Sequence, residues 1–161
     1  MRMLTRIVSG GQTGVDRGAL DAAIAAGLEH GGWCPRGRRA EDDEIPQRYR
    51  LRETPSPRYE ARTGWNVRDS DGTLVLALGP LSGGTKLTVE CARNSGRPCM
   101  IVDLGKASDV QAVVEWIGEN GIEVLNVAGP RESESPGITF DTRRFVAEII
   151  DRDRSRTPAG S

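Results

Sequence analysis

The run Ser82-Gly83-Gly84-Thr85-Lys86 offers what an anion needs: amides uncovered by side chains, a hydroxyl and an ammonium, with no acid before Glu90. Glycine lets successive N–H groups point into one concavity and approach a ligand closely. Charge-assisted bonds from such donors are roughly twice as strong as neutral ones. The chemistry implied is phosphate binding. The Gly-x-x-x-x-Gly-Lys-Ser/Thr spacing of an ATP-hydrolysing loop is absent. The plainer alternative is a tight strand-to-helix connection capped by Thr85.

A second glycine turn, Ser9-Gly10-Gly11-Gln12-Thr13-Gly14, leads to Asp16 and Arg17. Thr13 and Asp16 have the spacing of a capping box, in which Thr13 caps the next helix and Asp16 satisfies an amide in return. A carboxylate there already uses the positive end of the helix dipole. It offsets the roughly 0.3–1 kcal/mol that a helix start gives an anion. This turn therefore suits the hydroxyl or amide groups of a ligand, with Gln12 and Arg17 as donors.

Arg58, Arg62 and Arg68, with Asn66, Asp69, Ser70 and Asp71, crowd a stretch before an apolar run. A guanidinium fork suits phosphate or a planar heterocycle, whereas a solvated helix face with internal ion pairs is the bland reading. Glu90 is placed to reach a ribose hydroxyl or a glycosidic bond, or to pair with Arg93. Asn126-Val127-Ala128-Gly129-Pro130-Arg131 supplies a third wall at a strand end. Trp65 reads as core. Cys34 reads as a buried structural cysteine rather than a reactive one. The single histidine, His30, reads as exposed at a helix end, and one histidine supports neither a catalytic triad nor a metal site.

These groups need elements to hold them. Arg6-Ile7-Val8 reads as a buried strand and the alanine-rich stretch 16–27 as a helix. Trp33-Cys34 reads as a second strand, 35–46 as a polar loop without periodicity, and 51–54 as a weak strand. A polar helix over 58–69 precedes the clearest central strand, 73–78. Residues 85–95 read as its following helix, and 98–104 as a strand. Val110, Val113, Val114 and Ile117 recur at helical spacing. A strand over 123–127 precedes a last helix carrying Phe145, Val146, Ile149 and Ile150. The alternation predicts one doubly wound α/β domain over 1–151, with a mainly parallel sheet and helices on both faces. Residues 152–161 read as a disordered tail.

Composition narrows the partners. Lys and Arg number 22 against 23 Asp and Glu, so a nucleic acid is not expected. No apolar run approaches the roughly 18 residues of a membrane span, and the start leaves no room for a signal peptide. Three widely spaced cysteines argue against a disulfide framework or a thiolate metal site, and for a cytoplasmic location.

The order of these motifs carries a resemblance that spans nearly the whole chain. Ser9 to Ala19, Trp33-Cys34-Pro35-Arg36-Gly37-Arg38, Leu51-x-Glu53-Thr54, Tyr59-x-x-Arg62-Thr63-x-x-Asn66-Val67-x-Asp69-Ser70-Asp71-Gly72-Thr73, Gly83-Gly84-Thr85 and Asn126 to Arg131 resemble the molybdenum cofactor carrier-like family. That family sits in a Rossmann-like group with the lysine-decarboxylase-like phosphoribohydrolases and the DNA-processing proteins. The resemblance implies a Rossmann-like fold, homo-oligomers and binding of molybdenum cofactor, a phosphorylated pterin whose dithiolene holds the metal. Phosphoribohydrolases carry Pro-Gly-Gly-x-Gly-Thr-x-x-Glu. Gly83-Gly84-Thr85 with Glu90 is similar, but the middle glycine is missing and the glutamate displaced.

The expectation is a carrier of a small phosphorylated heterocycle, with no protein-ligated metal. Its phosphate would lie on Ser82, Gly83, Gly84, Thr85 and Lys86, and its heterocycle against Gly10, Gly11, Gln12, Thr13 and Asp16. Arg62, Asn66, Asp69 and Arg131 would close around it. Two alternatives stay open. One is a phosphoribohydrolase of nucleoside monophosphates in which Glu90 or Asp69 assists water and Arg62 stabilises charge. The other is a nucleotide-sensing module.

Overall fold

Strand β1 (Arg6–Val8) leads through the first glycine turn into helix α1 (Val15–Ala25), and the chain returns alongside as β2 (Glu29–Gly31). The computed structural model describes residues 2–156. Four short strands follow: β3 (Trp33–Cys34), β4 (Arg39–Ala40), β5 (Asp43–Glu44) and β6 (Arg52–Glu53). Helix α2 (Tyr59–Arg68) then leads to β7 (Gly72–Ala77), α3 (Gly83–Asn94) and β8 (Cys99–Asp103). Helix α4 (Val110–Glu119), β9 (Val124–Ala128) and α5 (Ile138–Arg154) complete the chain.

Five strands form one parallel sheet in the order β2-β1-β9-β7-β8. Side chains alternate between its faces. Ile7, Leu74, Leu76, Leu125 and Val127 meet Ala19, Val113, Ile117, Val146 and Ile149 of α1, α4 and α5 in the main core. Full burial of each such aliphatic side chain contributes on the order of 1.5–3 kcal/mol. Helices α2 and α3 pack together on the other face, and every residue of β7 is buried. This is a Rossmann-like, doubly wound α/β fold.

The last strand lies in the middle of the sheet. If β9 and α5 stood first in the chain, the strand order would read 3-2-1-4-5, the order of a dinucleotide-binding sheet. The ends of the described chain are consistent with that reading. Asp153 of α5 is fully buried and accepts a bond from Leu4 N at 2.8 Å, just before β1. Arg156 lies 2.6 Å from the same carboxylate. Residues 152–154 are thus helical rather than a tail, because Asp153 is needed inside; residues 157–161 lie outside the described residues.

The second strand of the main sheet is β2, not Trp33-Cys34, which pairs with β6 in a small parallel sheet. His30 is therefore a strand residue, and its Nε2 accepts from Arg50 N at 3.1 Å. The stretch 35–46 contains an antiparallel hairpin, β4 with β5. Arg38 holds it by donating to the carbonyls of Ile45, Pro46 and Tyr49 at 3.1, 2.8 and 2.9 Å.

Candidate functional site

In a doubly wound sheet, ligands bind outside the carboxyl ends of the strands, where the order of connections reverses. Here that point lies between β9 and β7. A cavity of about 240 Å³ occupies it, bounded by the exits of β1, β7 and β9 and by one face of α2.

The β7 exit supplies the start of α3. Ser82 is extended at φ −148° and its carbonyl accepts from Thr85 N and Lys86 N at 3.2 and 3.4 Å. The amides of Gly83 and Gly84 have no carbonyl partner among the described residues. A Cβ at either glycine would meet nothing within 4 Å, so no neighbouring group crowds the turn on that side. The first turn of α3 carries no acid. Thr85 is buried beside them and lines the cavity. These features suit an anion.

The β1 exit is built differently. Gly14, not Thr13, precedes α1, and no side chain caps that helix. Asp16 reaches back to accept from Gln12 N at 3.1 Å and from Arg62 Nη1 at 2.9 Å. A Cβ at Gly10 would stand 1.8 Å from that same Nη1, so the guanidinium rests directly on the turn. The concavity that a phosphate would use is therefore filled from inside the protein. Burial pushes the Asp16 carboxyl above its ordinary value, opposed by the charge of Arg62.

The β4–β5 hairpin braces this turn. Gln12 Oε1 accepts from Thr13 N at 3.1 Å and from Glu41 N at 2.9 Å. Glu41 accepts from the hydroxyls of Thr13 and Ser133, tying the hairpin to the β9 exit. Arg17 makes a two-pronged pair with Asp42 at 2.5 and 2.8 Å and donates to Gly11 O at 3.0 Å. It serves the strap, not the cavity.

Of the residues singled out from the sequence, Gly10, Gln12, Asp16, Arg62, Asn66, Gly83, Gly84, Thr85 and Arg131 line the cavity together. Gly11 instead sits under Leu51 and Ile45, and the Thr13 hydroxyl accepts from Glu132 N at 3.2 Å. Ser82, Lys86 and Glu90 are exposed outside the lining. Asp69 lies at the far end of α2, where Arg68 and Trp33 hold its carboxyl down at about 2. Trp65 is half-buried in an edge-on contact with Trp33. Cys34 is fully buried.

The structure adds Thr63, Thr88 and Glu134 to the lining. Helical spacing from Tyr59 and from Thr85 could have found the first two, while Glu134 is placed by its 3.1 Å pair with Arg131. Among the described residues, no group of three or more His, Cys, Asp or Glu side chains could hold a metal. No helix among them is long and apolar enough to cross a membrane.

A doubly wound sheet hollowed at its switch point defines the class: a Rossmann-like protein with a small-molecule cavity at the carboxyl edge. Residues 7–150 match the family described as "Circularly permutated YpsA SLOG family", and the chain belongs to it. The central place of the last strand, β9, between β1 and β7 agrees with a permuted chain order. The fold also matches the crystal structure of "Putative molybdenum carrier protein" from Syntrophus aciditrophicus SB at 41% identity and a TM-score of 0.86. The match covers 92% of this chain and 96% of that one. Comparison with curated proteins found no match.

Proposed function

We propose that the protein binds and carries a phosphorylated pterin, molybdenum cofactor, in the cavity at the carboxyl edge of the sheet. The observation that carries this reading is the division of the cavity into two chemically different ends. At one, open amides of Gly83 and Gly84 with Thr85 suit a phosphate. At the other, Asp16 and Arg62 neutralise each other, and the amide side chains of Gln12 and Asn66, anchored on Glu41 N and on the Trp33 backbone, make a fixed uncharged wall suited to a heterocycle. The cofactor's own dithiolene would hold the metal. The crystallised relative's printed name, a molybdenum carrier, supports a carrier role for a molybdenum-bearing cargo and goes no further.

Glu90 does not favour the hydrolase alternative, because it is exposed on α3 outside the cavity lining. A nucleotide is tested directly. Incubation with AMP should release no free adenine, whereas adenine formation lost in Glu90→Gln would establish the hydrolase instead. Binding of the cofactor itself is the positive test.

A further inference from the structure

Beyond Asn66, which lines both, lies a second cavity of about 170 Å³. Arg6, Trp33, Arg52 and Asp69 face it. Arg6 is seated deliberately: a Cβ on Gly31 would come 2.1 Å from its Nη2, so the glycine makes room for the guanidinium to lie on β2. The Nε of Arg6 is buried and has no hydrogen-bond partner. No carboxylate pairs with Arg6 or Arg52 among the described residues, and Arg52 stands 5.9 Å from the Trp33 ring centre. Asp69 cannot neutralise them fully, since its oxygens already accept from Arg68 at 2.7 and 2.9 Å and from the Trp33 indole N–H at 2.8 Å.

A ligand in the cavity cannot reach that closed-off Nε, but neither the Arg6 nor the Arg52 side chain makes a hydrogen bond within the described residues, so both guanidiniums line the cavity without an acceptor. The carboxyl end of α2, at Asp69, works against an anion here with about half a negative charge. Two guanidiniums outweigh it. We propose that this cavity binds a small tetrahedral oxyanion of the phosphate or sulfate class between Arg6 and Arg52, with the Trp33 indole as a wall. The site is separate from the carboxyl-edge cavity and does not depend on what that cavity carries.

The test follows the Arg6 Nε–H signal by NMR in the full chain during titration with inorganic phosphate, at ionic strength held constant with chloride. The expected result is a saturable shift, with sulfate acting likewise. Arg52→Gln, a change at an exposed position, should weaken it at least tenfold, whereas the exposed control Arg36→Gln should leave it unchanged. AMP separates the sources. If it leaves Arg6 unmoved the site takes the free ion, and if it shifts Arg6 saturably the site takes a phosphomonoester. A shift that never saturates, or equal affinity in Arg52→Gln, would overturn the proposal. Arg6→Met is a second variant, and the Arg52 result stands if Arg6→Met fails to fold.

Discussion

Arg62 Nη1 lies 2.9 Å from Asp16 Oδ2, and its guanidinium rests on Gly10, so an ion pair rather than a ligand occupies the first glycine turn. Both side chains are largely withdrawn from water, at 15% and 6% exposure. Breaking such a pair leaves an uncompensated buried charge, whereas replacing both partners is far milder. Arg62→Met should therefore lower stability by about 3 kcal/mol. Adding Asp16→Asn to Arg62→Met should recover most of that loss, as read from urea unfolding. Additive losses in the double variant would contradict the pairing.

Asp16, in the first turn of α1, and Asp69, at the carboxyl end of α2, should titrate in opposite senses. Burial raises Asp16, so the folded state keeps its proton to a higher pH than the unfolded chain. Its stabilising contribution is full below the ordinary value of 3.8 and is lost as pH rises through the folded value. Asp69, held to about 2 by Arg68 and then by Trp33, does the reverse. Its contribution is present above 3.8 and is lost as pH falls through about 2. Carboxyl carbon NMR should show Asp16 titrating at the higher pH; the opposite order would contradict this account.

Gly84 separates the anion reading from a merely structural turn. A side chain there meets open space, so Gly84→Asp should fold normally while setting a carboxylate before the free amides. Affinity for a phosphorylated ligand should fall at least tenfold, worth about 1.4 kcal/mol or more. Thermal unfolding would check that the fold persists. Unchanged affinity would remove the phosphate from this turn.

The hairpin should behave as a strap. Glu41 joins it to Thr13 and Ser133, and these bonds hold its carboxyl below its ordinary range despite partial desolvation. Glu41→Ala should therefore speed trypsin cleavage at Arg36, Arg38 or Arg39 severalfold. Cleavage at the wild-type rate would show that Glu41 is not what fastens it.

Much of the sheet was legible because its strands are apolar and its helices periodic. The fully buried β7 and the Val110, Val113, Val114, Ile117 stripe are cases in point. β2 was not, because Glu29-His30-Gly31 is an edge strand with one buried residue and no hydrophobic signal. The hairpin was hidden for another reason. It depends on Arg38 reaching three carbonyls and on Glu41 reaching across the chain, contacts that no local pattern encodes. In the site, glycines and amides were readable from their types and spacing. Whether a charged side chain faces the cavity was not, as Arg17, Lys86 and Asp69 illustrate; their directions are set by tertiary partners or by helix phase.

The most direct test of the central claim is an anaerobic equilibrium titration of the protein with molybdenum cofactor, competed by AMP. Carriage of the cofactor requires tight, saturable binding that AMP does not displace and that Gly84→Asp weakens at least tenfold. No binding, or displacement by modest AMP, would contradict it.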